Sequence, residues 1–265
     1  MDGMNTAASR IRFAFFAAIA VIFAALPVRA QTSVRVCSHP AAGFFEKDAK
    51  GAFSGLEYDL IASFGESAGL KLTYRETGQF DELLKDVEAG ACDIGASTIT
   101  ITEPRKARML FSIPYFPNRI VIVQKTSSGF TSGADLKDKR VAVVTGTLSE
   151  PLVAAIPGVK VLRLANDDMK FQALLQGEAD ALASDSAVVL HYLKKNPQLG
   201  VAFPLGERSF FGLVFPKSSN VAEAMNEHLR KLIRTGEMKK LLTRHFGADN
   251  AESLIEDITE ASGRK

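Results

Sequence analysis

From Val34 onward, short apolar runs alternate with stretches whose apolar residues recur at helical spacing. Val34–Cys37 reads as a strand, followed by a loop over Ser38–Lys47 and a turn bracketed by Gly51 and Gly55. Leu56, Leu60, Ile61 and Phe64 then mark one face of a helix, and Leu70–Tyr74 a second strand. Phe80–Glu88 predicts a helix that turns Leu83, Leu84 and Val87 inward and stops at Gly90. Asp93–Ala96 is a short buried strand. After Ile120–Gln124 and a Gly/Ser/Thr connector, a second series repeats the alternation. Its strands are Val141–Val144, Val159–Leu164 and Ala181–Ala183, with a helix over Met169–Leu175. Phe211–Phe215 is a last strand. Helices follow with Val221, Met225, Leu229, Leu232 and Ile233 on one face, and a final one runs through Leu241 and Leu242 to Phe246.

Strands and helices joined by connections this short predict an α/β protein with mainly parallel sheets flanked by helices. The last strand and helices lack a partner in the second series, so the expected division is into two lobes. Residues 31–118 and 209–247 form the first, and 119–208 the second. The chain crosses between them twice, near Phe116–Ile120 and Arg208–Gly212, as a hinge. Residues 248–265 are polar and are expected to be a loosely held tail.

The first thirty residues differ from the rest. Arg10 and Arg12 precede the apolar run Phe13–Leu26, and small residues stand at the cleavage-reading positions up to Ala30. That order is a secretory signal peptide over residues 1–30, shorter than the roughly 20 apolar residues needed to span a bilayer. Of the chain's 32 basic and 30 acidic residues, the signal takes three arginines and one aspartate, which leaves the exported part formally neutral. A neutral chain argues against binding nucleic acid through a basic surface. The two cysteines, Cys37 and Cys92, both adjoin predicted strands. A bridge requires Cα atoms within about 7 Å, which spacing does not supply, so a disulfide and two free thiols both remain open.

The chemistry gathers after the Asp93 strand. Ser97, Thr98, Thr100 and Thr102 make a hydroxyl-rich loop closed by Glu103, Pro104 and Arg105. Hydroxyls, backbone N–H groups and one guanidinium at the carboxyl end of a strand form a small anion site, because arginine grips a carboxylate with two parallel hydrogen bonds. Thr147, after Val141–Val144, sits where a helix begins and its amides suit an anion; Asp185 ends the Ala181–Ala183 strand. The four histidines show no zinc spacing. The chain carries no Walker loop, serine nucleophile elbow or dinucleotide fingerprint. No cofactor or metal is therefore expected. Arg108 is read as solvated, Asp180 as structural, and Phe44 and Phe45 as core.

The run Thr100–Phe116, TITEPRKARMLFSIPYF, resembles the family 3 bacterial extracellular solute-binding proteins. So do Gly55–Leu60, Val144–Thr147, Gly177–Asp185 and the helix over Gly236–Phe246, and together they cover nearly all of the exported chain. The resemblance implies a two-lobed periplasmic binding protein fold of type II. It implies a monomeric, non-enzymatic receptor in the periplasm that delivers a small polar amino acid to a membrane ABC permease. By position, Arg105 and Thr100 hold the ligand carboxylate, Ser97, Thr98 and Thr147 contact the ligand, Asp185 pairs with its ammonium and Phe80 forms an aromatic wall. His39 and Ala42 depart from the family's usual acidic and aromatic residues, and Leu148 replaces a common hydroxyl; His39 points to an acidic or polar ligand. Similar proteins include exported cyclohexadienyl dehydratases and accessory modules of cell-wall or quinoprotein dehydrogenase systems, which are the alternatives.

Overall fold

The structure is a computed structural model that describes Met1 and residues 33–263. The export signal expected over residues 1–30 otherwise lies outside the described residues. The chain first forms β1 (Ser33–Ser38), β2 (Glu46–Lys47), β3 (Phe53–Ser54), α1 (Leu56–Ala68), β4 (Lys71–Glu76) and α2 (Phe80–Glu88). Next come β5 (Ile94–Ala96), α3 (Glu103–Lys106), β6 (Leu110–Phe111) and β7 (Phe116–Asn118). The second series is β8 (Ile120–Lys125), β9 (Arg140–Val144), α4 (Ser149–Ala154), β10 (Lys160–Leu164), α5 (Asp167–Gln176), β11 (Ala181–Asp185), α6 (Ser186–Lys195) and β12 (Leu199–Pro204). The chain then closes with β13 (Ser209–Phe211), β14 (Val214–Phe215), α7 (Ala222–Thr235), α8 (Glu237–Phe246) and α9 (Ala248–Gly263).

Two five-stranded sheets result, in the orders β4-β1-β5-β14-β6 and β10-β9-β11-β8-β12. In each, three strands run parallel, as β1 does to β4 and β5, and β9 to β10 and β11. One strand in each is reversed, β14 between β5 and β6 and β8 between β11 and β12, so β6 and β12 run in the direction of the other three. Each sheet is therefore mainly parallel, as expected, with one reversed strand, β14 or β8, that makes it mixed. β8 and β14 each follow a crossing between the lobes and run against the neighbouring βα strand, a direction that apolar periodicity does not encode. Between the sheets, β7 and β13 pair antiparallel, with Phe116 opposite Phe211. The rings of Phe44, Phe116, Phe211 and Phe246 pack on one another there with centres 4.8–6.2 Å apart, and Phe44 is fully buried core as expected.

Cys37 and Cys92 form a disulfide with Cα atoms 5.8 Å apart, which resolves the alternative left open. It ties the end of β1 to the segment entering β5, the strand that delivers the hydroxyl loop.

Residues 248–263 are not a loose tail. Ala251 and Ile258 are fully buried, and Leu254 and Ile255 pack against the same core. These four recur at the i, i+3, i+4, i+7 spacing of an apolar helix stripe, a signal diluted by the acidic residues between them. Asp257 pairs with Arg208 beside one hinge crossing, and the Ser262 hydroxyl donates to the Pro114 carbonyl beside the other. Burying one large aliphatic side chain is worth about 1.5–3 kcal/mol. Deleting residues 248–265 is therefore expected to cost roughly 3 kcal/mol and lower the melting temperature by about 6–12 °C. Thermal denaturation by circular dichroism checks this; an unchanged melting temperature would show that α9 only lies on the surface.

Candidate ligand-binding site

β5 ends in Ser97 and Thr98, and the loop beyond carries Thr100, all three buried. Thr98 has φ of 48°, a left-handed conformation uncommon for a residue with a Cβ. It is held there by its N–H, which donates to Glu57 Oε1 at 2.8 Å. Glu57, at the start of α1, is fully buried and also accepts from the Tyr115 hydroxyl, while its Oε2 has no partner among the described residues. Burial raises its pKa to about 7, against the hydrogen bonds from Tyr115, Thr98 and Ser97. The sequence reading assigned Glu57 no role; an acid just inside an otherwise apolar helix face was the available signal.

Thr102 caps α3, accepting from the Arg105 N–H, and the short helix turns the Arg105 side chain inward. Arg105 is 8% exposed. Its guanidinium donates to the Thr100 carbonyl at 3.0 Å and, from the other lobe, to the Gly146 carbonyl at 3.2 Å. It also lies over the Phe80 ring, 5.3 Å from its centre. Burial lowers its pKa to about 10 against the pull of Asp185, so it stays cationic at neutral pH. His39 stands edge-on to Phe80, its Nδ1 3.3 Å from the Thr77 carbonyl. A carbonyl only accepts, so Nδ1 carries the proton in that contact and Nε2 is the other polar atom of the ring. That atom is buried with no partner among the described residues.

Across from these, β9 delivers the turn Thr145-Gly146-Thr147. A Cβ on Gly146 would lie 2.9 Å from the Asp81 Cβ of α2, so the approach of the lobes here requires glycine, whose φ is 78°. Three of the amides at this turn are already engaged. Thr145 N–H donates to Leu164, Gly146 N–H to the Glu150 carboxylate and Thr147 N–H to Val144, because the turn closes on its own strand and helix. Thr147 instead presents a hydroxyl that donates to the Val144 carbonyl and shares a hydrogen bond with Ser149. Asp185, at the end of β11, accepts from the Asn118 amide. Loss of water around its carboxyl raises its pKa to about 6, opposed first by Lys170 and also by Asn118 and Arg105.

Arg105, Thr100, Thr98, Ser97, Phe80 and His39 line one cavity together with Thr147 and Asp185, so every predicted site residue faces the same space. Its volume is about 30 Å³, and a water needs roughly 10–15 Å³ on that scale. In this arrangement an amino acid does not fit, and entry requires the lobes to part. Pro40 and Asp167 are shared with an adjoining groove of about 600 Å³ between the lobes. Among the sequence's other assignments, Arg108 pairs with Glu88 at the surface and Asp180 with Arg140, both away from the cavity.

Two charged residues of the wall, Asp167 and Lys170, were missed. Lys170, in the first turns of α5, is 3% exposed, and its Nζ lies 2.6 Å from Asp167 Oδ1. In the sequence an i, i+3 acid–lysine pair reads as a solvated helix face. The contrary signal is that Lys170, Ala173 and Leu174 share the buried stripe of α5.

The family model of the bacterial extracellular solute-binding proteins, family 3, matches residues 34–248. The chain belongs to this family. This solute-binding protein is 30% identical over 228 residues to a probable histidine-binding protein of Neisseria gonorrhoeae, covering 83% of this chain and 85% of the relative. It is 28% identical over 199 residues to ABC transporter arginine-binding protein 1 of Escherichia coli, covering 72% and 81%. Among solved structures, an ancestral arginine-binding protein bound to arginine aligns with a TM-score of 0.77 at 30% identity, covering 82% of this chain and 99% of the other. The two-lobed α/β fold and the place of this protein among amino-acid importer receptors follow from these matches. Among the described residues, no helix is long and apolar enough to cross a membrane.

Proposed function

We propose that this solute-binding protein is a non-enzymatic periplasmic receptor that captures a small amino acid between its lobes and hands it to an ABC permease. In this reading residues 1–30 are removed after Ala30 and the mature chain works as a monomer. The observation that carries it is that Arg105 on one lobe and Asp185 on the other line a single cavity. A zwitterion needs one fixed cation and one fixed anion, and a site dry enough to strengthen both. Arg105 receives the carboxylate with the Thr100 and Ser97 hydroxyls, Asp185 receives the ammonium, and Phe80 covers the guanidinium. The relatives named for histidine and arginine support an amino acid as the guest class. Isothermal calorimetry of residues 31–265 against the twenty proteinogenic amino acids tests this, and folded protein that binds none would refute it.

The same titration has a defined pH dependence. A guest ammonium requires Asp185 ionised, and its carboxyl has a pKa raised to about 6. Above that pH affinity is expected to be flat. Below it, the carboxyl must first lose a proton, so affinity falls by up to about tenfold per unit. Calorimetry from pH 5 to 8, in buffers of differing ionisation enthalpy, would register the released proton; a flat profile would take Asp185 out of the ammonium site.

A further inference from the structure

Four charged residues line the cavity: Arg105, Lys170, Asp167 and Asp185. They are not equally sealed. Arg105 is 8% exposed and Lys170 3%, whereas the Asp167 side chain retains 20% and Asp185 is also partly exposed. The Asp185 carboxyl has nonetheless lost the water around it, so Arg105, Lys170 and Asp185 are all withdrawn from solvent and Asp167, the partner of Lys170, is the charge that keeps most contact with it. A buried ammonium costs several kcal/mol unless it is paired and hydrogen-bonded. Lys170 has three donors, and its pair with Asp167 accounts for one.

The second cation also acts on Asp185, where Lys170 contributes the largest opposing influence on the carboxyl. A guest ammonium at Asp185 therefore has Lys170 as a neighbour. That repulsion is relieved if the guest places a negative group between the two. Within the cavity the facing wall, with His39, Pro40 and Phe80, carries no acid; Glu46, Asp48 and Glu76 of that lobe line the adjoining groove instead. The only acids in the lining are the two already beside Lys170.

We propose that Lys170 is a specificity-determining residue and that the preferred guest is an amino acid with a second acidic group, whose distal carboxylate the Lys170 ammonium receives. This rests on the receptor reading above. Charges then alternate along the guest: its α-carboxylate on Arg105, its ammonium on Asp185 and its side-chain carboxylate on Lys170. His39, whose Nε2 is buried with no partner among the described residues, lies in the same lining, and in this proposal that nitrogen accepts an N–H of the guest ammonium. A neutral side chain leaves Lys170 with Asp167 alone, and a basic one must displace it.

The test is calorimetry on residues 31–265 with glutamate, aspartate, glutamine, asparagine, histidine and arginine. An acid is expected to bind at least about tenfold more tightly than its own amide, the difference made by one charged hydrogen bond. In Lys170→Met the acid-over-amide ratio should fall towards one, and in Lys170→Arg, which keeps the charge, it should stay well above one. Should Lys170→Met not fold, the wild-type ranking and Lys170→Arg decide. Tighter binding of the amides, histidine or arginine by the wild-type protein would overturn the assignment of Lys170 while leaving the receptor reading intact. Binding of none of the panel by folded protein would overturn both.

Discussion

Arg105→Ala is expected to weaken amino-acid binding by roughly 100- to 10,000-fold. Each hydrogen bond to a charged group is worth about 1.5–3 kcal/mol, and a fork of two removes about 3–6 kcal/mol, at 1.4 kcal/mol per decade. The side chain is positioned before any guest arrives: the Thr102 cap starts α3, the Thr100 carbonyl holds one guanidinium nitrogen, and Phe80 covers its face. A carboxylate therefore meets a cation that has little left to order. Arg105→Lys keeps the charge but loses the planar fork, so it should recover only part of the loss. Calorimetry with the tightest amino acid of the wild-type panel measures both variants, with circular dichroism to establish that each is folded. Equal affinity in wild type and Arg105→Ala would place the carboxylate elsewhere.

The second large effect is on stability. Replacing Cys37 and Cys92 together by serine is expected to cost about 4 kcal/mol, the chain-entropy value for a loop closed across a sequence separation of 55 residues. The cost should be felt at the site as well as in the melt, because the bridge anchors the segment entering β5, and β5 delivers Ser97 and Thr98. For a chain of this size the melting temperature should fall by about 8–16 °C. Urea denaturation of oxidised wild type against the double-serine variant gives the difference directly. A loss under about 1 kcal/mol would mean that the unfolded chain gains little freedom when the loop is opened.

Much of this was legible in the residues, for identifiable reasons. Strands such as Val141–Val144 are unbroken apolar runs because both faces of their sheet are covered. The loop from Ser97 to Arg105 stood out because hydroxyls, a proline and an arginine follow a strand end, and the structure brings Ser97, Thr98, Thr100 and Arg105 into one cavity with Asp185 and Phe80. What remained hidden depends on direction or partnership. Periodicity carries no strand direction, so the antiparallel entry of β8 and β14 was out of reach. Lys170 went unassigned, since which way the first turns of α5 face is fixed only by the packing of Phe171 and Leu174. At the turn leading to Thr147, a side chain and carbonyls of the same lobe engage the amides of residues 145–147, which the residue types alone do not reveal. Glu57 shows its use only once Thr98 is seen in a left-handed conformation leaning on it.

The central claim is that one guanidinium and one carboxylate, on facing lobes, close around a single doubly charged guest. Native mass spectrometry of residues 31–265, mixed with the twenty proteinogenic amino acids at equal concentration, addresses it in one spectrum. The expected result is one dominant protein peak shifted by the mass of a single amino acid, which disappears in Arg105→Ala. A folded wild-type protein that carries no amino acid, or an adduct that persists undiminished in the variant, would contradict the account.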